Sequence, residues 1–404
     1  MNTSQIIEGY KQYVVSTYNR IPVVMVKGQG CRVWDLDGKE YLDLVAGVAV
    51  NSLGHAHPCV VDALNKQSVE LIHTSNLYYT IPQLELAKRI SDLSFNGKVF
   101  FANSGAEANE AAIKLARRFG KASGGRYEII TMTNSFHGRT MATLSATGQE
   151  KIQHGFDPLV PGFKHVEFNN LLAVEEAINE NTCAILVEPV QGEGGVNIPA
   201  DDYLQGLRKL CDKHHLLLML DEVQTGIARC GKMFAYQYYN IVPDVMTLAK
   251  GLGGGLPIGA MIVTSKMADM LPPGSHASTF GATPLVCSAA IAVIDYILEQ
   301  DILSHVTQMG EYFIAKLQGL SKKYPAVIHS VRGKGLMLGM ALKINGAGIV
   351  NECLANGLLI NCTAGDVLRF LPPLIISKEE IDRAARILDG IIGGLTAEKG
   401  GNHA

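Results

Sequence analysis

One apolar run of this chain ends in a lysine and another ends in an aspartate. Val245-Met-Thr-Leu-Ala-Lys250 closes on Lys250, and the glycine-rich stretch Gly251-Leu-Gly-Gly-Gly-Leu-Pro-Ile-Gly259 follows at once. Upstream, Leu216-Leu-Leu-Met-Leu220 runs into Asp221-Glu222. A lysine at the end of a buried strand, beside small residues, is poorly hydrated and gives up its proton more readily. The neutral amine is a nucleophile toward aldehydes, so a Schiff base becomes possible. A carboxylate at the end of a neighbouring strand is the usual partner of a protonated pyridine nitrogen. Together the two residues pose the question of pyridoxal phosphate chemistry.

Other candidates also follow apolar runs. Ser104-Gly105-Ala106 comes after Val99-Phe-Phe101 and before a helical stretch, where backbone N–H groups and a positive dipole end suit a phosphate. Ser104 and Glu107 equally fit a capping box, the plainer reading of those two residues alone. In Ser135-Phe136-His137-Gly138-Arg139 an aromatic could stack on a planar ring and an arginine could fork a carboxylate. A core phenylalanine, a structural histidine and a surface arginine are the plainer reading. Glu188-Pro-Val-Gln-Gly-Glu193 carries two carboxylates that need partners if buried. Asp221 could alternatively hold a metal; the missing His and Cys companions weaken this, and an oxygen-ligand magnesium site is the form of it that stays open. A nucleotide loop is excluded, because Lys250 precedes its glycines instead of following them. What distinguishes these residues is their order: a phosphate cradle, an aromatic, a carboxylate and a lysine, each at a strand end.

The elements that must position them alternate. Apolar runs at 99–101, 127–131, 184–187, 216–220, 245–248 and 258–263 read as strands; 107–119, 171–180 and 203–214 have helical spacing. Such βα alternation predicts a largely parallel sheet covered on both faces, with ligands beyond the carboxyl ends of the strands. Residues 1–50 read as a helix and then a hairpin about Asp37-Gly38. After Pro284 the spacing predicts helices over 285–300 and 302–324, short strands near 335–342 and 358–360, and a last helix over 379–395 capped by Ser377 and Glu380. Residues 398–404 are expected to fray.

With 404 residues, one large and one small domain are expected. The formal charge of -3 gives no reason to expect nucleic acid or an anionic membrane as partner. No apolar run approaches a membrane span, and the first residues do not read as a secretory signal. The eight cysteines form no C-x-x-C pair, which argues against metal ligation and a disulfide framework. A reducing cytoplasm is the expected location.

From Trp34-Asp-Leu-Asp-Gly-Lys-Glu-Tyr-Leu-Asp43 to Leu368-Arg-Phe-Leu-Pro-Pro-Leu374 the chain resembles the class III, or ω-type, aminotransferases of pyridoxal-phosphate fold type I. The most specific stretches are Phe100-Phe-Ala-Asn-Ser-Gly-Ala-Glu-Ala-Asn-Glu110, Ser135-Phe-His-Gly-Arg139, Glu188-Pro-Val-Gln-Gly-Glu193, Leu220-Asp-Glu-Val-Gln-Thr-Gly226 and Ala249-Lys-Gly-Leu-Gly-Gly-Gly-Leu-Pro-Ile-Gly259. The resemblance implies an α/β fold: a large domain over 55–284 with a mostly parallel seven-stranded sheet and helices on both faces. A smaller α+β domain would form from 285–404, joined by the N-terminal segment 1–54. It implies pyridoxal 5'-phosphate as cofactor and no metal. Lys250 would form the Schiff base and shuttle the proton. Asp221 would hold the ring nitrogen protonated, with Glu222 and Val223 beside it in the cofactor site, and Gln224 would bind the ring's 3-hydroxyl. Phe136 would stack on the ring, and Ser104, Gly105 and Ala106 would bind the phosphate. Thr279 would reach the phosphate of a partner subunit, with Ser278 near the substrate, which makes the enzyme a homodimer with composite sites. Arg139 and Arg369 would take substrate carboxylates, Glu193 would cover Arg369 while the first substrate is bound, and Tyr18 would touch the substrate.

The implied reaction passes the terminal amino group of N-acetyl-L-ornithine to 2-oxoglutarate, as in arginine biosynthesis. The alternatives are succinylornithine, succinyl-diaminopimelate, ornithine or 4-aminobutyrate as donor. A pyridoxal-phosphate aminomutase or a non-enzymatic binder lies further off. Two departures stand out. The family's Phe-Gly-Gly-Asn-Pro reads Phe280-Gly-Ala-Thr-Pro284 here. Where relatives acting on free ornithine carry a tyrosine, Ala46-Gly-Val-Ala-Val-Asn51 offers small aliphatics, with Val48 the expected match; this favours an acylated donor.

Overall fold

The structure is a computed structural model that describes residues 1–401, with side chains through residue 396. Seven strands form the central sheet in the order Lys98–Ala102, Gly259–Val263, Val245–Leu248, Leu217–Asp221, Thr182–Val187, Glu128–Met132, Phe163–Val166. Only Gly259–Val263 runs against its neighbours; the other pairings are parallel. Four adjacent strands bury every residue, as a sheet covered on both faces requires. Asp221 lies opposite Thr247 in the ladder. Lys250, three residues after Thr247, therefore emerges from the same edge of the sheet as Asp221.

The helix Gly105–Ala122 starts where Lys98–Ala102 ends. Ser104 caps it, its hydroxyl accepting from the Glu107 N–H at 3.2 Å. The expected capping box is only half made: Glu107 accepts from Asn103 N, not from Ser104 N. This helix is alanine-rich on its inner face, where Ala108, Ala111, Ala112 and Ala116 are fully buried. Small side chains there let the helix approach the sheet closely.

Two smaller four-stranded sheets flank this body. In one, Met25–Gln29, Arg32–Asp35 and Glu40–Asp43 are joined by Leu358–Leu359, which pairs parallel with Glu40–Asp43. In the other, the order is Ile328–Lys334, Met337–Leu342, Val367–Phe370, Asn361–Thr363. The first and last parts of the chain thus share a sheet. The last helix, Lys378–Gly401, begins with a complete Ser377–Glu380 capping box. It continues past 398, so the expected fraying does not begin there; 402–404 lie outside the described residues. The structure adds strands Met25–Gln29 and Phe163–Val166 and helices Pro58–Ser68 and Ile81–Leu93 to those expected. Both strands are at sheet edges, exposed or only partly buried, and so lack a continuous apolar run.

Arg229 ties the central body to the later chain. It is 2% exposed, and its Nη1 donates to the carbonyls of Leu336 at 3.0 Å and Pro372 at 2.6 Å. Its Nη2 has no partner among the described residues. Burial pushes its guanidinium down to about 10. No helix of the described residues is long and apolar enough to cross a membrane. Among the same residues, no cluster of three His, Cys, Asp or Glu side chains suits a metal ion.

Candidate active site

A cavity of about 490 Å³ opens at the carboxyl edge of the sheet. Lys250 stands in its wall, at the start of the single turn Lys250–Gly253, with a left-handed φ of 43°. A non-glycine residue held in that region stores strain and recurs at functional sites. Burial pushes the Lys250 ammonium below its usual range, and the negative charge of Glu193 only partly opposes this.

Asp221 faces the same cavity and is 3% exposed. Its Oδ2 accepts from Asn109 Nδ2 at 2.7 Å and meets His137 Nδ1 at 2.8 Å; its Oδ1 accepts the Val223 N–H at 3.0 Å. Asn109 is fixed in turn, since its Oδ1 accepts from the Thr247 hydroxyl at 2.7 Å. A buried carboxylate so bound stays in one orientation and can present its charge to a cationic ring nitrogen.

Ser104, Gly105 and Ala106 form the cavity wall at the N-terminus of an 18-residue helix. A Cβ on Gly105 would come within 2.7 Å of Val223 Cγ1, so this position must stay bare. The turn after Glu128–Met132 brings Phe136 and Arg139 into the same wall. Its geometry needs Gly138, at φ +142°, where a Cβ would lie 2.8 Å from that of Ala106. Glu188 holds the turn: its carboxylate accepts the N–H groups of Phe136 at 2.9 Å and Gly192 at 3.1 Å. Burial raises the Glu188 carboxyl to about 7, with His137 opposing and Asp221 reinforcing the shift.

Behind the cavity, Arg369 is 1% exposed and pairs with Glu193 Oε1 at 2.7 Å. Gln224 Oε1 lies 3.5 Å from the same Nη1. Burial works against ionisation of Glu193, but the Arg369 charge and hydrogen bond outweigh it and hold the carboxyl below its usual range. Arg139 has no ion pair among the described residues; its guanidinium lies 5.6 Å from the centre of the Phe136 ring.

Ser104, Gly105, Ala106, Phe136, Arg139, Glu193, Asp221, Val223, Gln224 and Lys250 thus converge on one cavity, with Arg369 one residue behind. Five expected residues do not. The Glu222 side chain is turned away: its carboxylate accepts from Ala235 N, Tyr236 N and the Thr225 hydroxyl, and so caps the turn Ala235–Tyr238. Tyr18 is 72% exposed and stands against Arg20, outside the cavity of its own chain. Ser278 and Thr279 line a separate cavity with Glu107 and His276. The Ser278 hydroxyl accepts from Asn103 Nδ2 at 3.2 Å and Gly281 N at 3.0 Å, which holds the loop. Val48 gives way to Val50 at the cavity wall. The backbone is left-handed from Ala46 to Ala49, so side-chain alternation cannot be read across it.

The family model for "Aminotransferase class-III" matches residues 13–392. An acetylornithine aminotransferase of Caldanaerobacter subterraneus subsp. tengcongensis is 54% identical over 95% of this chain and 98% of its own. Another, of Methanocaldococcus jannaschii, is 52% identical over 97% and 98%. A solved ornithine aminotransferase of Toxoplasma gondii, in which pyridoxal phosphate partly occupies the active site, superposes with a TM-score of 0.94. It is 33% identical, over 98% of this chain and 96% of that one. The chain belongs to the class III aminotransferases, an α/β family of enzymes whose cofactor is pyridoxal 5'-phosphate. The donor set fits that group: a buried amine, a fixed carboxylate and a bare helix N-terminus share one cavity.

Proposed function

We propose that this aminotransferase moves the terminal amino group of N-acetyl-L-ornithine to 2-oxoglutarate. The products are N-acetyl-L-glutamate 5-semialdehyde and L-glutamate, a step of arginine biosynthesis. One observation carries the reading: of the two arginines, Arg369 is covered by Glu193 at 2.7 Å while Arg139 is open to the cavity. A donor with one carboxylate remote from its reacting amine needs one free arginine, and a dicarboxylate needs two. Glu193 answers both needs if it covers Arg369 for the donor and swings aside for glutamate. An arginine left unpaired in a closed site is costly. The two relatives named acetylornithine aminotransferase support an acylated donor. So does Val50, which offers no hydroxyl to a free α-amino group.

Pyridoxal 5'-phosphate, when bound, supplies the electron sink that makes the amine-bearing carbon acidic. Lys250 Nζ, whose charged form burial disfavours, would take the proton from that carbon. Asp221 would keep a proton on the ring nitrogen, and Asn109 and His137 keep Asp221 in place. The N–H groups of Gly105 and Ala106, the Ser104 hydroxyl and the positive end of their helix hold the phosphate. Phe136 would cover a ring face and Gln224 would take the 3-hydroxyl, with Val223 beside Asp221 in the same wall. Arg139 takes the donor's carboxylate, and Arg369 takes the α-carboxylate of glutamate.

In this reading Ser278 and Thr279 serve a partner's site, so the enzyme works as a homodimer in the cytoplasm. Asn76 Nδ2 donates to the carbonyls of Ser278 and Gly281. Beside it Leu77, Tyr78, Tyr79 and Phe280 are exposed apolar side chains, a surface that calls for a protein partner. The division into 1–54, 55–284 and 285–404 belongs to the same proposal. Succinyl-diaminopimelate of lysine biosynthesis is a second donor that the same chemistry accepts. Single-turnover half-reactions with N-acetylornithine, N-succinylornithine, ornithine and 4-aminobutyrate test the assignment. The acylated donors should react much faster, and comparable rates for free ornithine would overturn it.

A further inference from the structure

A second cavity, of about 450 Å³, lies outside the one that holds Lys250, and the two share Phe136, Arg139 and Glu193. Its outer wall comes from both halves of the molecule. Gln149 and Lys151 stand at the short helix Glu150–Gln153, and Thr363 stands across from them at the end of the strand Asn361–Thr363. The wall is braced. Gln149 Nε2 donates to the Ser135 carbonyl at 2.9 Å, and the Thr363 hydroxyl donates to the Glu193 carbonyl.

Three of its lining residues are charged: Arg139, Lys151 and Glu193. Glu193 is neutralised by Arg369 at 2.7 Å. Neither Arg139 nor Lys151 has an ion pair among the described residues. A donor whose reacting amine is at Lys250 and whose carboxylate meets Arg139 has its acyl group at the border of the two cavities. The acyl arm of such a donor would extend into the outer chamber, which shares Arg139 with the inner one. Arg139 is by then neutralised, and Lys151 is the cation left facing the arm. A methyl-ended arm gives that cation nothing to pair with, whereas a carboxylate-ended arm does.

We propose that Lys151 tunes specificity for the acyl arm, raising the acceptance of donors whose arm ends in a carboxylate relative to donors whose arm ends in a methyl group. The inference rests on the reading of the donor as an N-acylated amino acid. Lys151 is exposed, so its pairing is partly screened and its effect is modest, about fivefold. It also weakens as salt rises.

The test compares kcat/KM for N-succinyl-L-ornithine and N-acetyl-L-ornithine in the holoenzyme and in the variants Lys151→Gln and Lys151→Arg. In Lys151→Gln the succinyl-to-acetyl ratio should fall about fivefold, mostly through KM. Raised salt should lower the wild-type ratio but not that of Lys151→Gln. Lys151→Arg should restore most of the ratio. A ratio unchanged in Lys151→Gln, or lost equally in Lys151→Arg, overturns the role of Lys151. A wild-type enzyme that rejects both acylated donors and takes free ornithine overturns the functional reading itself, and shows this without any variant.

Discussion

Arg369 and Glu193 meet at 2.7 Å, and the two ends of this pair are held very differently. Arg369 sits on the strand Val367–Phe370, hydrogen-bonded on both sides, and its Nε donates to Asn361 Oδ1 at 3.3 Å. Glu193 sits on a loop between Gly192 and Gly194, with its side chain 30% exposed. If the pair opens, the glutamate is the partner that leaves.

Glu193→Ala should therefore unbalance the two half-reactions. With Arg369 permanently free, the half-reaction with glutamate should keep its rate. The half-reaction with the acylated donor should lose about tenfold in kcat/KM, because an uncovered buried charge faces it. Rapid-mixing absorbance traces of each half-reaction give the two numbers. Equal losses in both would remove the switch from the mechanism.

Asp221→Asn should lower kcat for both substrates by about 10²-fold or more, the scale of removing one preorganised electrostatic group. Asn109→Ala should cost less and act in the same direction, because it frees the carboxylate without discharging it. Steady-state kcat and KM for each variant check the order, and an Asn109→Ala enzyme with unchanged kcat would exclude that positioning role.

Burial raises the Glu222 carboxyl from 4.5 to about 7, although three donors bond it and partly oppose the shift. The folded chain then binds this proton more tightly than the unfolded one. The resulting stabilisation is full below about pH 4.5 and is lost as pH rises through about 7. Glu188 shifts in the same direction, to about 7. Glu222→Gln should thus flatten, without abolishing, the fall in stability between those values. Urea midpoints across this range decide it; parallel curves for the two proteins would contradict the assignment.

Sedimentation of the holoenzyme should give a particle of twice the 43.5 kDa chain or a multiple of it. A monomer with full activity would show that Ser278 and Thr279 serve no second site.

Asp221 and Lys250 were legible because parallel strands buried on both faces are continuous apolar runs, and ligands of such sheets gather at strand ends. The support around Asp221 was not. Asn109 and His137 reach it across 112 and 84 residues of chain. One signal was available for Asn109: a polar side chain among Ala108, Ala111 and Ala112 on a buried helix face needs a partner. Glu222 misled because it adjoins Asp221, yet neighbours at a strand end point in opposite directions. Val48 misled because four successive left-handed residues leave no periodicity to follow.

Arg229 bears on how the molecule is made. Among the described residues its guanidinium meets no carboxylate, and its two acceptors lie 107 and 143 residues further along the chain. A nascent chain that has emerged only as far as the central sheet would have to bury this cation with nothing to receive its hydrogens, a cost of several kcal/mol. The sheet can gather earlier, but Arg229 gains both of its acceptors only once residue 372 has been made. The central body is thus not a unit that matures alone and then acquires an appendage; the late-synthesised strands complete its interior.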